Sequence, residues 1–301
     1  MGGMKKGFLS SVLLLGLAVT PSFAADLPIK APVYAPPPPP SWTGFYVGGS
    51  LGARWTDSLG SVTSGFVGTA PNPPILIGGD NSLDSTAFRP SVFAGWNWQL
   101  ARQFVLGIEG DAGWANNTAT RFGSPYPSDL QVGTVTFPGP FPLGGSQNDS
   151  FSVHTTWDSS LRLRAGWLAS PTMLLYATGG VAWLHLEAAS SCATSLDPVT
   201  ANCAPGNFFD GTLAPASISN SQTLIGWTIG GGVEVMLAPH WLARAEYRFA
   251  DFGTATFTDV RINSGGAIGV PISEASPLSI SYSLREATQI ATVGLAYKFG
   301  D

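Results

Sequence analysis

Over residues 289–299 the chain alternates with a period of two. Ala291, Val293, Leu295, Tyr297 and Phe299 fall on one face of an extended strand, and Thr292, Gly294, Ala296 and Lys298 fall on the other. The apolar face ends in two aromatics suited to a membrane interface, while the opposite face carries an ammonium that hydrocarbon rejects. Such a strand cannot stand alone at membrane depth. Every backbone N–H and C=O there needs a partner, and only a closed ring of strands gives each member two neighbours. The rest of the chain must therefore supply matching strands.

It supplies six with assignable faces. Residues 44–55 set Phe45, Val47, Leu51 and Trp55 against Tyr46, Ser50 and Arg54; residues 88–98 set Phe88, Val92, Trp96 and Trp98 against Arg89, Ser91 and Asn97. Residues 104–114 oppose Leu106 and Ile108 to Glu109 and Asp111, and residues 157–167 oppose Leu161 and Leu163 to Asp158, Arg162 and Arg164. Residues 224–237 carry Ile225, Trp227 and Ile229 against Thr228 and Glu234, and residues 241–251 carry Trp241, Ala243 and Tyr247 against Arg244, Glu246 and Arg248. Most match the roughly 9–11 residues of a tilted membrane strand. Residues 174–187 are apolar at both parities, so their lipid face is left unassigned.

The connections set the topology. Those after the second, fourth and sixth segments are a few residues long, whereas 56–87, 115–156, 188–221 and 252–285 are long. Short turns at one end and long loops at the other are the pattern of an outer-membrane barrel, with turns and both termini in the periplasm and loops at the cell surface. The expected fold is all-β: an eight-stranded antiparallel transmembrane β-barrel over residues 44–301. Alternation resumes within 254–262 and 279–284, so strands are expected to run beyond the membrane. A spanning hairpin of 132–137 and 151–157 would raise the count to ten.

Composition agrees. Charged residues make up only 11% of the chain, and 37 glycines with 24 prolines argue against a helical bundle. Beyond the N-terminus no apolar run approaches the roughly 18 residues of a spanning helix. The net charge of −5 leaves no basic footprint for nucleic acid. Residues 1–24 read as a signal peptide: Lys5 and Lys6, an apolar stretch over 8–19, then Ser22-Phe23-Ala24, with cleavage between Ala24 and Ala25. Residues 25–43 read as a proline-rich periplasmic spacer.

The inward faces collect Arg54, Arg89, Arg162, Arg164, Arg244, Arg248 and Lys298 with Glu109, Asp111, Asp158, Glu234 and Glu246. An eight-strand interior is just wide enough for side chains to fill, so mixed signs are expected to pair and plug it. A narrow pore for small solutes is the competing reading. Gly48-Gly49-Ser50-Leu51-Gly52 matches a nucleophile-elbow pattern but lies mid-strand with no helix after it. Gly230-Gly231-Gly232 lacks the Lys-Ser/Thr of a phosphate loop. Cys192 and Cys203, both in the third long loop of an exported chain, are expected to form a disulfide. His154 and His185, with Ser152, Asp158 and Ser159 nearby in sequence, outline a rim-located lipid hydrolase as a third reading. No residues have metal-ligand spacing, and no cofactor or catalytic group is expected.

Several ordered fragments carry a family resemblance: Ala25-Asp26-Leu27-Pro28, Trp42-Thr43-Gly44-Phe45-Tyr46-Val47-Gly48, Gly95-Trp96-Asn97-Trp98-Gln99, Gly107-Ile108-Glu109-Gly110-Asp111, Tyr176-Ala177-Thr178-Gly179-Gly180 and Glu246-Tyr247. Together they resemble the small porin-like outer membrane immunogenic proteins. The resemblance implies an eight-strand barrel placed in the outer membrane by its assembly machinery, contacting membrane lipid and lipopolysaccharide, with surface loops and a role in envelope integrity. Tyr297 and Phe299 match the family's terminal assembly signal. Gly300 and Asp301 follow them, where an aromatic last residue is usual.

Overall fold

The computed structural model of the protein describes residues 40–67, 80–124, 126–127, 131–132, 135–136, 149–192, 216–263 and 276–300. The expected cleavage site at Ala24 and Ala25, most of the proline-rich spacer and Cys203 lie outside them.

Eight long strands form one ring: β1 Gly44–Val67, β2 Ser85–Gln99, β3 Phe104–Phe122, β4 Ser150–Ser170, β5 Met173–Cys192, β6 Ala216–Ala238, β7 Trp241–Asn263 and β8 Ser276–Lys298. Each pairs antiparallel with its neighbour in the chain, and β1 pairs with β8 from Tyr46↔Lys298 to Val67↔Leu278, which closes the barrel. The ten-strand alternative fails: residues 151–157 lie within β4, and among the described residues Gln131–Val132 pairs only with Val135–Thr136, outside the ring. At 15 to 24 residues the strands exceed the membrane's requirement, so much of what reads as loop continues as barrel wall.

The faces are inverted relative to a water-soluble fold. Leu163 is 70% exposed while its neighbours Arg162 and Arg164 are 1% and 2% exposed. The outer wall is apolar, as lipid requires, and the interior takes the ions. The periodicity is interrupted by bulges, each of which shifts the alternation by one residue. One lies between Asp251 and Thr254 of β7, where Gly253 takes a φ of +68° and donates its N–H to Asp251 Oδ1. Another lies between Thr155 and Asp158 of β4.

The interior is stacked in three layers, best followed along β7. Leu242 belongs to an apolar cluster at the turn end with Trp42, Phe93, Leu168, Leu174 and Met236; Arg244, Glu246 and Arg248 come next; Ala250 and Phe252 open a second apolar cluster toward the loop end. This layering resolves β5. Leu174, Tyr176, Ala182, Leu184 and Leu186 face inward and are buried, while Leu175 and Val181 face outward. The strand is apolar at both parities because most of its inward residues fall in the two apolar layers.

Candidate functional site: the charged layer of the interior

Strands β1 to β7 each contribute to the middle layer, whereas β8 passes it with Ile290, Thr292 and Gly294. Near the turn end the centre is Glu109 of β3. It accepts from Arg162 Nη2 at 2.6 Å, from Arg244 Nη1 and Nη2 at 2.8 and 3.0 Å, and from the Tyr46 hydroxyl at 2.7 Å. Arg162 also donates to Glu246 at 2.7 Å, Arg164 is paired with Glu234, and Arg244 with Glu246. Tyr176 donates to Glu246 at 3.0 Å, and the Arg164 guanidinium lies 3.8 Å from its ring centroid, a cation–π stack.

Nearer the loop end the centre is Asp158 of β4. It accepts from Arg54 at 2.8 Å, from Arg89 at 2.9 Å and from Arg248 at 3.2 Å. Arg89 and Arg248 also reach Asp111, at 2.8 and 2.6 Å, and Ser160 donates to the same carboxylate. Arg54 is completed by Asn117 Oδ1 at 2.9 Å and the Thr155 carbonyl at 2.9 Å. The two halves meet where Arg162 lies 3.8 Å from Asp111. Of the twelve ions read as one inward set, eleven are brought together. Lys298 is buried apart from them at the turn end, where its ammonium donates to the carbonyls of Thr43 and Gly300.

Partners that the charge pattern missed complete the layer. Tyr46 and Tyr176 need room to lie across the interior, and two glycines supply it. A Cβ on Gly95 would stand 2.5 Å from the Tyr46 hydroxyl, and one on Gly232 would stand 2.6 Å from that of Tyr176. The glycine run that fails as a phosphate loop thus has a packing role. A void of about 10 Å³ remains among Ser50, Arg89, Asp111, Arg162, Arg244 and Thr292. That is no more than one water molecule needs.

Both ends are covered. At the turn end Trp42, read from composition as part of the spacer, is fully buried; its indole N–H donates to the Pro171 carbonyl at 3.1 Å and its backbone N–H to Gln99 Oε1 at 3.0 Å. At the loop end Leu83 and Tyr126, 5% and 2% exposed, fold over the mouth onto the upper apolar cluster.

Beneath that cover lies Glu286, fully buried, with Ser58 Oγ donating to Oε2 at 2.8 Å and no donor at Oε1 among the described residues. It stands three residues beyond the alternating stretch 289–299, in register with Ser58. Burial pushes the carboxyl up to about 8, against the pull of the Ser58 hydrogen bond and of Arg54. The folded state therefore holds a proton that the unfolded chain releases near the ordinary value of 4.5. Stability from this group is fully present below that value and is lost as pH rises through about 8. Glu286→Gln is expected to raise the urea midpoint of the detergent-folded barrel at pH 9 and leave it nearly unchanged at pH 4; equal midpoint shifts at both pH values would contradict this.

The hydrolase constellation is not assembled. His154 faces outward with Nδ1 2.7 Å from the Thr118 hydroxyl, and His185 faces outward and stacks on Trp157. Asp158 lies inside with its three arginines. The bulge between Thr155 and Asp158 places the acid and the histidines on opposite sides of the wall. Cys192 ends β5. Tyr297 and Phe299 face outward at the turn end, with ring centroids 5.0 Å apart and contacts to Trp241 and Phe45, so an aromatic girdle lies across the closing seam.

The family model described as an outer membrane protein beta-barrel domain matches residues 11–270. The 31 kDa outer-membrane immunogenic protein of Brucella melitensis is 28% identical over 264 residues, 84% of this chain and 91% of that one. The 25 kDa outer-membrane immunogenic protein of Brucella ovis is 26% identical over 269 residues, 85% and 97% of the two chains. The crystal structure of OprG from Pseudomonas aeruginosa aligns with a TM-score of 0.41 at 12% identity, over 86% of this chain and 97% of that one. The chain is similar to the outer-membrane immunogenic proteins, belongs to the outer-membrane β-barrel family, and resides in the outer membrane.

Proposed function

We propose that the protein is a structural, surface-exposed element of the outer membrane whose interior is closed to solutes by its own ion pairs, with no catalytic role. The observation that carries this reading is the charged layer held between two apolar layers, with space for at most about one water molecule at its centre. A hydrated ion crossing the barrel would have to displace both Trp42 and the Leu83–Tyr126 cover. It would then have to part buried pairs whose separation leaves charge unpaired in a dry environment. The turn end faces the periplasm and the loop end faces outward, where strand extensions and connecting segments meet the surroundings, as befits relatives named immunogenic. Its partners are the lipid and lipopolysaccharide of the membrane and the machinery that inserts barrels. Planar-bilayer recording is the test. Purified wild-type protein is expected to give no stable unitary current; a steady wild-type current that Arg162→Ala abolishes or alters would overturn the closed-interior reading in favour of a narrow pore.

A further inference from the structure

Toward the loop end the ring of strands comes apart. β6 pairs with β7 only as far as Trp227↔Asp251, although β6 runs on over 216–226 and β7 over 252–263. On the far side β3 leaves β2 beyond Ser91↔Gly113, and β2 leaves β1 beyond Thr56↔Ser85. The loop-end extension is therefore two sheets, one of β3 to β6 and the other of β7, β8 and β1. Their inner faces meet in the upper apolar cluster, where Phe151 of one sheet lies edge-on to Tyr282 of the other, with ring centroids 5.3 Å apart. The bulge between Asp251 and Thr254 stands at the branch, so β7 bends just past its last pair with β6.

Two sheets packed face to face have edges, and an edge strand is normally blunted by a charge, a proline, a bulge or a cover. Three of the four edges here are blunted in this way. β3 has a bulge between Trp114 and Asn117, and Arg54 donates to its Ala115 carbonyl at 2.6 Å. β1 has a bulge between Val62 and Ser64 and is partly covered by Asn81–Ser82. β7 has its bulge, with Asp259 and Arg261 beyond it. The fourth, β6, reads ASISNSQTLIG over 216–226, without a charge, a proline or a break in its register with β5. Asn220 reaches across the seam to Asp259 Oδ1 at 2.7 Å, a contact between side chains and not main chains. The edge is open: Ser221, Gln222 and Thr223 are exposed at both parities, although Gln222 stands in register with the fully buried Leu186. Every second residue of such an edge turns its N–H and C=O toward the seam, and no main chain among the described residues pairs with them. Hydrocarbon would forbid this, but the apolar row of β6 ends at Ile225, and Thr223, Ser221, Ser219 and Ser217 follow it on the outward face.

We infer that the β6 edge over 217–225 is a strand-addition site for an extended, uncharged polypeptide segment of another protein. Only an extended main chain repeats donors and acceptors at the spacing this edge presents. The flanking side chains set the rest of the partner's chemistry. Hydroxyl or amide side chains fit beside the outward serines, and apolar ones fit on the inner side beside Ile218 and Leu224. A second copy in the same membrane does not fit. Both copies would point their β6 strands the same way, whereas a symmetric antiparallel pair of edges needs them opposed. The inference goes beyond the structural role proposed above and does not depend on closure of the interior.

Hydrogen exchange of the full-length, detergent-folded barrel, read by mass spectrometry, tests it. The probe is an acetylated and amidated peptide with the sequence of residues 279–284, Ser-Ile-Ser-Tyr-Ser-Leu, which has the required alternation and already forms a strand within β8. In the barrel alone, about half of the amides over 217–225 are expected to exchange as fast as open chain, since only the other half pair with β5. Saturating peptide is expected to slow the fast half about tenfold or more. The same peptide carrying Tyr282→Pro is expected to leave them fast. Gln222→Lys puts a charge on the inner side of the edge and is expected to weaken the peptide about tenfold. Folding is read from the heat-dependent shift of the barrel band on a gel, and Ile218→Lys takes its place should Gln222→Lys fail to fold. Slow exchange over the whole of 217–225 in the barrel alone overturns the inference, because the chain would then cover its own edge. Slowing that follows barrel concentration and not peptide overturns it in favour of a second copy. No slowing by the peptide, equal slowing by the proline peptide, or undiminished slowing in the folded lysine variant each overturns it as well.

Discussion

Glu109→Ala is expected to be the most damaging single truncation in the barrel, lowering stability by about 3–5 kcal/mol or more, the range for removing one partner of a buried ion pair. Glu109 is 1% exposed and accepts from Arg162, Arg244 and Tyr46, with Arg164 at 3.8 Å. Its loss leaves guanidinium groups facing one another without the carboxylate they share. Glu246 and Glu234 remain, but each already carries its own arginine contacts. Urea titration of the detergent-folded barrel, followed by tryptophan emission, checks the value. Glu109→Gln keeps the shape and removes only the charge, so it separates electrostatics from packing. A loss below about 1 kcal/mol for both variants, the level of exposed pairs, would show that the layer is wet.

The second large effect is expected at Trp42. Trp42→Ala removes a fully buried indole from the lower apolar layer and the donor to the Pro171 carbonyl, for a loss of about 3–5 kcal/mol. Trp42→Phe retains most of the volume and loses the hydrogen bond, and should cost about 0.5–1.5 kcal/mol for that bond beyond the small change in packing. If the two substitutions are equally mild, the residue is an ordinary end of the spacer and not a stopper. The same urea titration measures both, and the gel shift reports whether the ring still closes.

Much of this molecule is legible in its sequence because a lipid-facing strand must declare both of its faces. The apolar rows of β1, β2, β3, β4, β6, β7 and β8, and eleven ions of the middle layer, follow from alternation alone. What resists reading has definite physical causes. β5 shows no polar face because most of its inward residues fall in the apolar layers above and below the ions. Trp42 is hidden by composition, since it follows a proline run and precedes the first alternating residues. Tyr46 and Tyr176 carry no charge, and what gives them away is an inward parity opposite a glycine on the next strand. His154 and Asp158 are near in sequence and share a parity, yet the intervening bulge reverses the alternation and puts the wall between them. Glu286 falls just outside the stretch that alternates most clearly, and only the extension of β8 beyond the membrane brings it into the interior.

The bareness of β8 at the middle layer bears on how the ring can be completed. All the guanidinium groups and carboxylates of that layer, six against five, lie on strands before β8, so a sheet of the first seven strands can pair nearly all of its own charge as it curls. The final strand then slides between β7 and β1 carrying only a branched alkyl group, a hydroxyl and hydrogen at that height. No ion of β8 has to find a partner in that layer to make the last seam, and the zipper from Lys298 upward can shut on an interior whose charges are already nearly balanced.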